Sequence, residues 1–169
     1  MMEFMVIAAP RSGTTWAANW LTTDTTLCLH DPLFTLHYTE LDAYPTKKNF
    51  GISCTGIAVF TDWVNAHPAR KVILHRDLTH VNQSLSRIGL PPIEKTYIDK
   101  LDTIDGMHCD WMDLFVNPRA IYEHLTQLPF DPERHALLKD IEMQPQFAGL
   151  NVRRDVTASL FNEMRAIGV

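Results

Sequence analysis

The chain is short of the features that would take it out of the ordinary globular class. Its three cysteines, Cys28, Cys54 and Cys109, are odd in number and lack metal-ligand spacing. Neither a disulfide framework nor a zinc site is built that way, so reduced thiols, no metal and a cytoplasmic setting are expected. Basic charge is scarce as well: 15 lysines and arginines stand against 20 acidic residues, for a formal net charge of −5. General nucleic-acid binding needs a basic balance and is not expected. No apolar run is long enough to span a membrane, and the Met-Met-Glu-Phe start lacks the basic region of a signal peptide. No repeat, low-complexity tract or linker divides the 169 residues, which are long enough for one domain with its own core. The expectation is a single domain over 1–169, in an oligomeric state that stays open.

What the chain does contain is an alternation of short apolar runs and helical patterns. Strands are expected at the start, around 25–29, 51–56, 71–76 and 107–111. Helices are expected after the first strand, over 61–67, from Asp77 or Thr79 to Arg87, and over 94–101, 118–127, 132–142 and 155–167. The weakly periodic, aromatic-containing segment 33–50 is expected to form a short helix and a loop. Alternating strands and helices argue for an α/β domain, three layers deep around a central parallel sheet.

The most informative stretch lies at the first strand's exit, Ala9-Pro10-Arg11-Ser12-Gly13-Thr14-Thr15-Trp16. A strand, a small-residue turn and a helix N-terminus together present free backbone N–H groups and the positive end of a helix dipole. Arg11 adds a full charge, and Ser12, Thr14 and Thr15 add hydroxyl donors. This is an anion cradle, but it is not G-x-x-x-x-G-K-S/T, because the second glycine and the lysine are missing. In an open parallel sheet, ligands sit beyond the carboxyl ends of the strands. Those ends offer Arg11 to Trp16, then His30-Asp31, Cys54-Thr55, Arg76-Asp77 and Trp111 to Asp113.

With these residues in view, Pro10-Arg11-Ser12-Gly13-Thr14-Thr15-Trp16 resembles the 5′-phosphosulfate loop of the sulfotransferase superfamily, which uses 3′-phosphoadenosine 5′-phosphosulfate (PAPS). A second match follows. In that family a strand leads to an arginine, and a serine eight residues later joins it on the donor's 3′-phosphate; here Val72-Ile73-Leu74-His75 leads to Arg76, with Ser84 at that spacing. Trp111-Met112-Asp113-Leu114, with Asn117-Pro118 beyond, resembles the family's Y-E-D-L/M-x-x-x-P segment, with Met112 in place of the glutamate and Trp111 in the position near the adenine. The family's closing R-K-G-x-x-G segment is absent, and Arg153-Arg154 could supply its charge.

The resemblance implies a P-loop NTPase-like sulfotransferase fold and transfer of a sulfuryl group from PAPS to a hydroxyl or amine of an unknown acceptor. It implies donor-binding roles for Arg11, Ser12, Gly13, Thr14, Thr15, Trp16, Arg76, Ser84 and Trp111, and a stabilising role in catalysis for Arg11. The histidine that many cytosolic members carry after the third strand is replaced by Ser53-Cys54-Thr55. Leu29-His30-Asp31-Pro32 resembles the H-E-P found in other members, which makes Asp31 the candidate base and His30 the runner-up. Two alternatives stay open: a nucleotide-binding module of the same fold that has lost catalysis, and a kinase-like phosphotransferase.

Overall fold

The computed structural model describes residues 1–141, so the expected helix at 155–167 and the Arg153-Arg154 pair lie outside the described residues. Five strands, β1 (Phe4–Ala8), β2 (Thr26–His30), β3 (Asn49–Cys54), β4 (Arg70–His75) and β5 (Met107–Asp110), form one sheet in the order β2-β3-β1-β4-β5. Every pairing is parallel. β1 is the middle strand, and all five of its residues are buried, as expected of a parallel strand covered on both faces.

Alternation along β1 divides the core into two layers. Phe4, Val6 and Ala8 face α1 (Thr14–Leu21) and α6 (Pro118–Thr126), packing with Trp16, Trp20, Leu21, Ile121 and Leu125. Met5, Ile7 and Ala9 face the other side, where α2 (Thr61–Ala66), α3 (Leu78–Ser86) and α4 (Lys95–Leu101) contribute Val64, Val81, Leu85, Tyr97 and Leu101. Helices therefore cover both faces of the sheet, and all the strand exits share one edge. No described helix is long and apolar enough to cross a membrane.

Helix ends follow local rules. Asp77, rather than Thr79, caps α3, its carboxylate accepting from the N–H groups of Thr79 and His80 at 2.9 and 3.2 Å. Prolines open α6 and α7 (Pro132–Lys139). Arg134 of α7 donates to the carbonyls of Asn19 and Thr22 at 3.0 and 2.6 Å, satisfying the C-terminal end of α1 and placing a cation on its negative pole.

Segment 33–50 differs from the expected helix and loop. It forms two 3₁₀ turns, Pro32–Phe34 and Tyr38–Ala43, before β3 begins at Asn49. Its aromatic spacing serves ring contacts instead of a helical face: Tyr38 stacks on Phe60 at 4.2 Å and Tyr44 on Phe50 at 5.0 Å. A short helix, α5 (Asp113–Val116), also follows β5, with the Asp113 carboxylate accepting from Asp110 N–H and Asn117 Nδ2.

Gly51 and Phe4 are register partners on adjacent strands, and a Cβ at residue 51 would collide with the Phe4 ring. Gly51→Ala should therefore destabilise the protein by about 1–3 kcal/mol through overpacking. Urea unfolding measures this, and an unchanged midpoint would mean that the Phe4 ring swings clear.

Candidate functional site

The exit of β1 turns into α1 through two left-handed residues, Arg11 at φ 64° and Gly13 at φ 87°. Gly13 is the N-cap, and a Cβ there would lie 2.9 Å from the Leu114 side chain of α5, so both conformation and space demand glycine. Ala17 N–H is bonded to the Gly13 carbonyl at 2.9 Å. The N–H groups of Thr14, Thr15 and Trp16 precede that bond and are the unspent donors of the helix start. The Ser12 hydroxyl is buried and has no hydrogen-bond partner among the described residues. The Trp16 indole, by contrast, is taken up by the core: its Nε1 donates to the Leu138 carbonyl at 3.0 Å, and its ring lies 4.8 Å from Phe115. Only its backbone N–H belongs to the cradle.

A basic cluster adjoins the loop. Arg11 Nε donates to Ser84 Oγ at 3.0 Å, across 73 residues of sequence. Arg76, leaving β4, donates through a guanidinium nitrogen to the Arg11 carbonyl. Its guanidinium also lies 4.3 Å from the centre of the Trp111 ring, a cation–π contact. Trp111 is held there by its own N–H, which donates to the His75 carbonyl at 2.9 Å. Burial, followed by the charges of Arg11 and Arg87, lowers the pKa of Arg76 from its ordinary value, although a guanidinium remains charged at neutral pH. Arg76 Nε is buried with no partner among the described residues. Arg11, Arg76, Ser84 and Trp111 thus come together in one place from three strand exits and α3.

On the other side of the loop stand His30 and Asp31. His30 Nε2 lies 3.3 Å from the Thr14 hydroxyl, 3.1 Å from that of Thr15 and 3.2 Å from Asp31 Oδ2. One ring nitrogen cannot donate to all three. A protonated Nε2 pairs best with the carboxylate, and an unprotonated one accepts from a threonine hydroxyl. Asp31 has a left-handed φ of 42°, and its other oxygen accepts from both Thr55 N–H, at 2.6 Å, and Thr55 Oγ1, at 3.0 Å. Thr55 is itself anchored, because the buried Tyr97 hydroxyl donates to its carbonyl. Beside the pair opens a cavity of about 360 Å³ lined by Leu29, His30, Asp31, Pro32, Phe34, Thr35, Leu36 and Tyr44. Cys54, next to Thr55, is fully buried, and burial pushes its thiol well above the usual range, as suits a small core residue.

Two contributors escape a reading of the sequence. Thr55 was visible only as a strand-exit residue, because its bond to Asp31 spans 24 positions. Arg87, close enough for its charge to act on Arg76, follows Ser84 by one helical turn of α3, and that i,i+3 relation was the available signal. Among the described residues, no group of three or more His, Cys, Asp or Glu is placed to hold a metal ion. Comparison with protein-family models finds no match, and comparison with curated proteins finds none.

A histidine pair borders the cluster. His108 Nε2 contacts the Ile104 carbonyl at 2.8 Å and must be protonated to do so, which leaves its Nδ1 to accept from His75 Nε2, also at 2.8 Å. Burial and then the His108 charge lower the pKa of His75 below its ordinary 6.5, outweighing Asp102 and Asp110. The unfolded chain then binds this proton more tightly than the folded one. The pair's contribution is whole above pH 6.5 and falls as pH drops toward the folded value. The melting temperature should therefore fall between about pH 7 and pH 5, and His75→Asn should flatten that slope. An unchanged slope in the variant would remove His75 from the account.

Proposed function

We propose that the chain is a sulfotransferase that binds PAPS across the β1, β4 and β5 exits and moves its sulfuryl group to an acceptor beside His30 and Asp31. The observation that carries this reading is the coupling of two anion-binding elements through one residue. Arg11 lies in the loop at the helix N-terminus and donates to Ser84, while its carbonyl is held by Arg76. A donor with charged groups on both the 3′ and the 5′ position of its ribose, as PAPS has, matches two such elements side by side. A simple 5′-nucleotide matches only one.

In this reading the loop N–H groups, the Ser12 hydroxyl and Arg11 surround the 5′-phosphosulfate. Arg76 and Ser84 meet the 3′-phosphate, Arg87 adds charge, and Trp111 supplies the aromatic surface near the adenine. The acceptor oxygen attacks sulfur in line with the bridging oxygen. The new S–O bond forms as the S–O bond to the 5′-phosphate breaks, its electron pair leaving with adenosine 3′,5′-bisphosphate. Arg11 and the N–H groups stabilise the negative charge that gathers on the leaving oxygen. The acceptor proton passes to the His30–Asp31 pair. Thr55 fixes one Asp31 oxygen and directs the other at His30, so the two side chains work as a unit, with Asp31 the candidate base. This site and the sheet around it support the P-loop-like form of the fold that the loop sequence resembles.

Thermal shift with adenosine 3′,5′-bisphosphate, ATP and AMP tests the donor assignment, because a ligand bound only to the native state raises stability by mass action. Strong stabilisation is expected from the bisphosphate alone. An equal response to ATP would favour a phosphotransferase instead. Arg76→Ala should weaken bisphosphate binding by about 1.5–3 kcal/mol, the range for a hydrogen bond to a charged group.

Labelled-sulfate transfer then separates an enzyme from a binding module. Asp31→Asn is expected to keep bisphosphate binding and abolish turnover. Turnover surviving in that variant but lost in His30→Ala would move the base to the imidazole.

A further inference from the structure

The cavity beside His30 and Asp31 has a chemistry of its own. Leu29, Pro32, Phe34, Leu36 and Tyr44 make most of its wall, and Tyr44 is braced by its stack on Phe50. No lysine or arginine lines it, and the full charge on its lining is the carboxylate of Asp31. Apart from the Thr35 and Tyr44 hydroxyls, the polar groups are His30 and Asp31, which gather where the cavity meets the loop, since His30 Nε2 also lies 3.1 Å from the Thr15 hydroxyl. The apolar body and the polar end of whatever fits here are therefore specified separately.

We propose that this cavity takes the acceptor and that the acceptor is a compact, uncharged alcohol or phenol, its single hydroxyl at His30–Asp31 and its apolar body against Phe34, Leu36 and Tyr44. The assignment rests on the sulfotransferase reading. A sugar would turn several hydroxyls toward leucine, proline and phenylalanine, leaving them without partners when water is displaced. A carboxylate or phosphate would meet the Asp31 charge with no cation on the wall to offset it. An alkylamine would arrive protonated and settle on Asp31 as an ion pair, with no lone pair to attack sulfur. A neutral hydroxyl compound meets none of these obstacles. At about 360 Å³ the volume lies near the lower end for small-molecule sites and matches one or two rings rather than a polymer. Transfer to it balances simply. The hydroxyl oxygen forms the S–O bond, the bond from sulfur to the 5′-phosphate oxygen breaks with its electrons on the leaving bisphosphate, and the hydroxyl proton goes to His30–Asp31.

Three probes of the full chain decide the matter: 2-naphthol, 2-naphthoate and methyl glucoside, followed by titration calorimetry with adenosine 3′,5′-bisphosphate present. 2-Naphthol should bind, with 2-naphthoate at least about tenfold weaker through like-charge repulsion and methyl glucoside undetected. Leu36→Trp fills the cavity and should remove 2-naphthol binding while stabilisation by the bisphosphate persists. Thr35→Trp, at an exposed position on the rim, serves the same end if the first variant fails to fold. With PAPS, labelled sulfate should pass to 2-naphthol and not to methyl glucoside. Equal or tighter binding of the glucoside or the naphthoate overturns the acceptor class, and so does 2-naphthol binding that ignores both tryptophan variants. Failure of the bisphosphate to stabilise the wild-type chain overturns the sulfotransferase reading itself and the acceptor role with it. The two failures are thereby told apart.

Discussion

The left-handed conformation of Arg11 is the constraint on which the site depends. A non-glycine residue at φ 64° carries a local conformational cost and persists only where its surroundings over-determine it. They do so here from both ends of the residue. The carbonyl is held by Arg76 from β4, and the side chain is held by Ser84 from α3. Gly13 then takes the second left-handed position, pressed against Leu114 of α5, which lets the chain enter α1 with its first N–H groups facing outward. Relaxing Arg11 to an extended conformation would turn its carbonyl away from Arg76 and uncouple the loop from β4. The loop, β4 and α3 are therefore one electrostatic unit instead of three neighbouring elements.

That unit concentrates positive charge in a protein whose formal net charge is −5. Arg11 and Arg87 both act on Arg76 in the sense of lowering its pKa, after burial. Gathering like charges in a partly buried place is unfavourable, and the Trp111 ring and the Arg11 carbonyl offset only part of the cost. Two buried donors, Ser12 Oγ and Arg76 Nε, add polar groups unspent among the described residues. Charge crowding and unspent donors have a common remedy, an anion reaching both.

Much of this edge was legible in the sequence because the rule for parallel sheets is topological. Once β1 through β5 are recognised as strands, Arg11, His30, Thr55, Arg76 and Trp111 fall together at their exits. Asp77 was legible as one of two candidate caps, whereas Gly13 was visible only as part of a small-residue turn, its steric necessity coming from Leu114 a hundred positions on. Three other things were not legible. The Tyr97 hydroxyl that anchors Thr55 comes from a helix over 40 positions away, and no local pattern announces such a bond. The placement of Trp16 in the core depends on α7 supplying the Leu138 carbonyl, although Trp16 stands in the loop motif itself. The 3₁₀ turns of residues 32–43 carry Tyr38, whose ring meets both Phe60 and Trp63, and such contacts have no sequence period. In each case the missing information is a partner distant in sequence, not a property of the residue.

His30 shows how the two halves of the site divide their work. One side of its Nε2 meets the loop hydroxyls, where the surroundings are cationic and donor-rich; the other meets Asp31, where they are anionic and apolar. Both sides are anchored from β3 and its exit: Thr55 holds Asp31 in place, and Ser53 Oγ holds the first turn of α1 through the Thr14 carbonyl at 2.9 Å. β3, buried between β1 and β2, is the strand that joins the two halves.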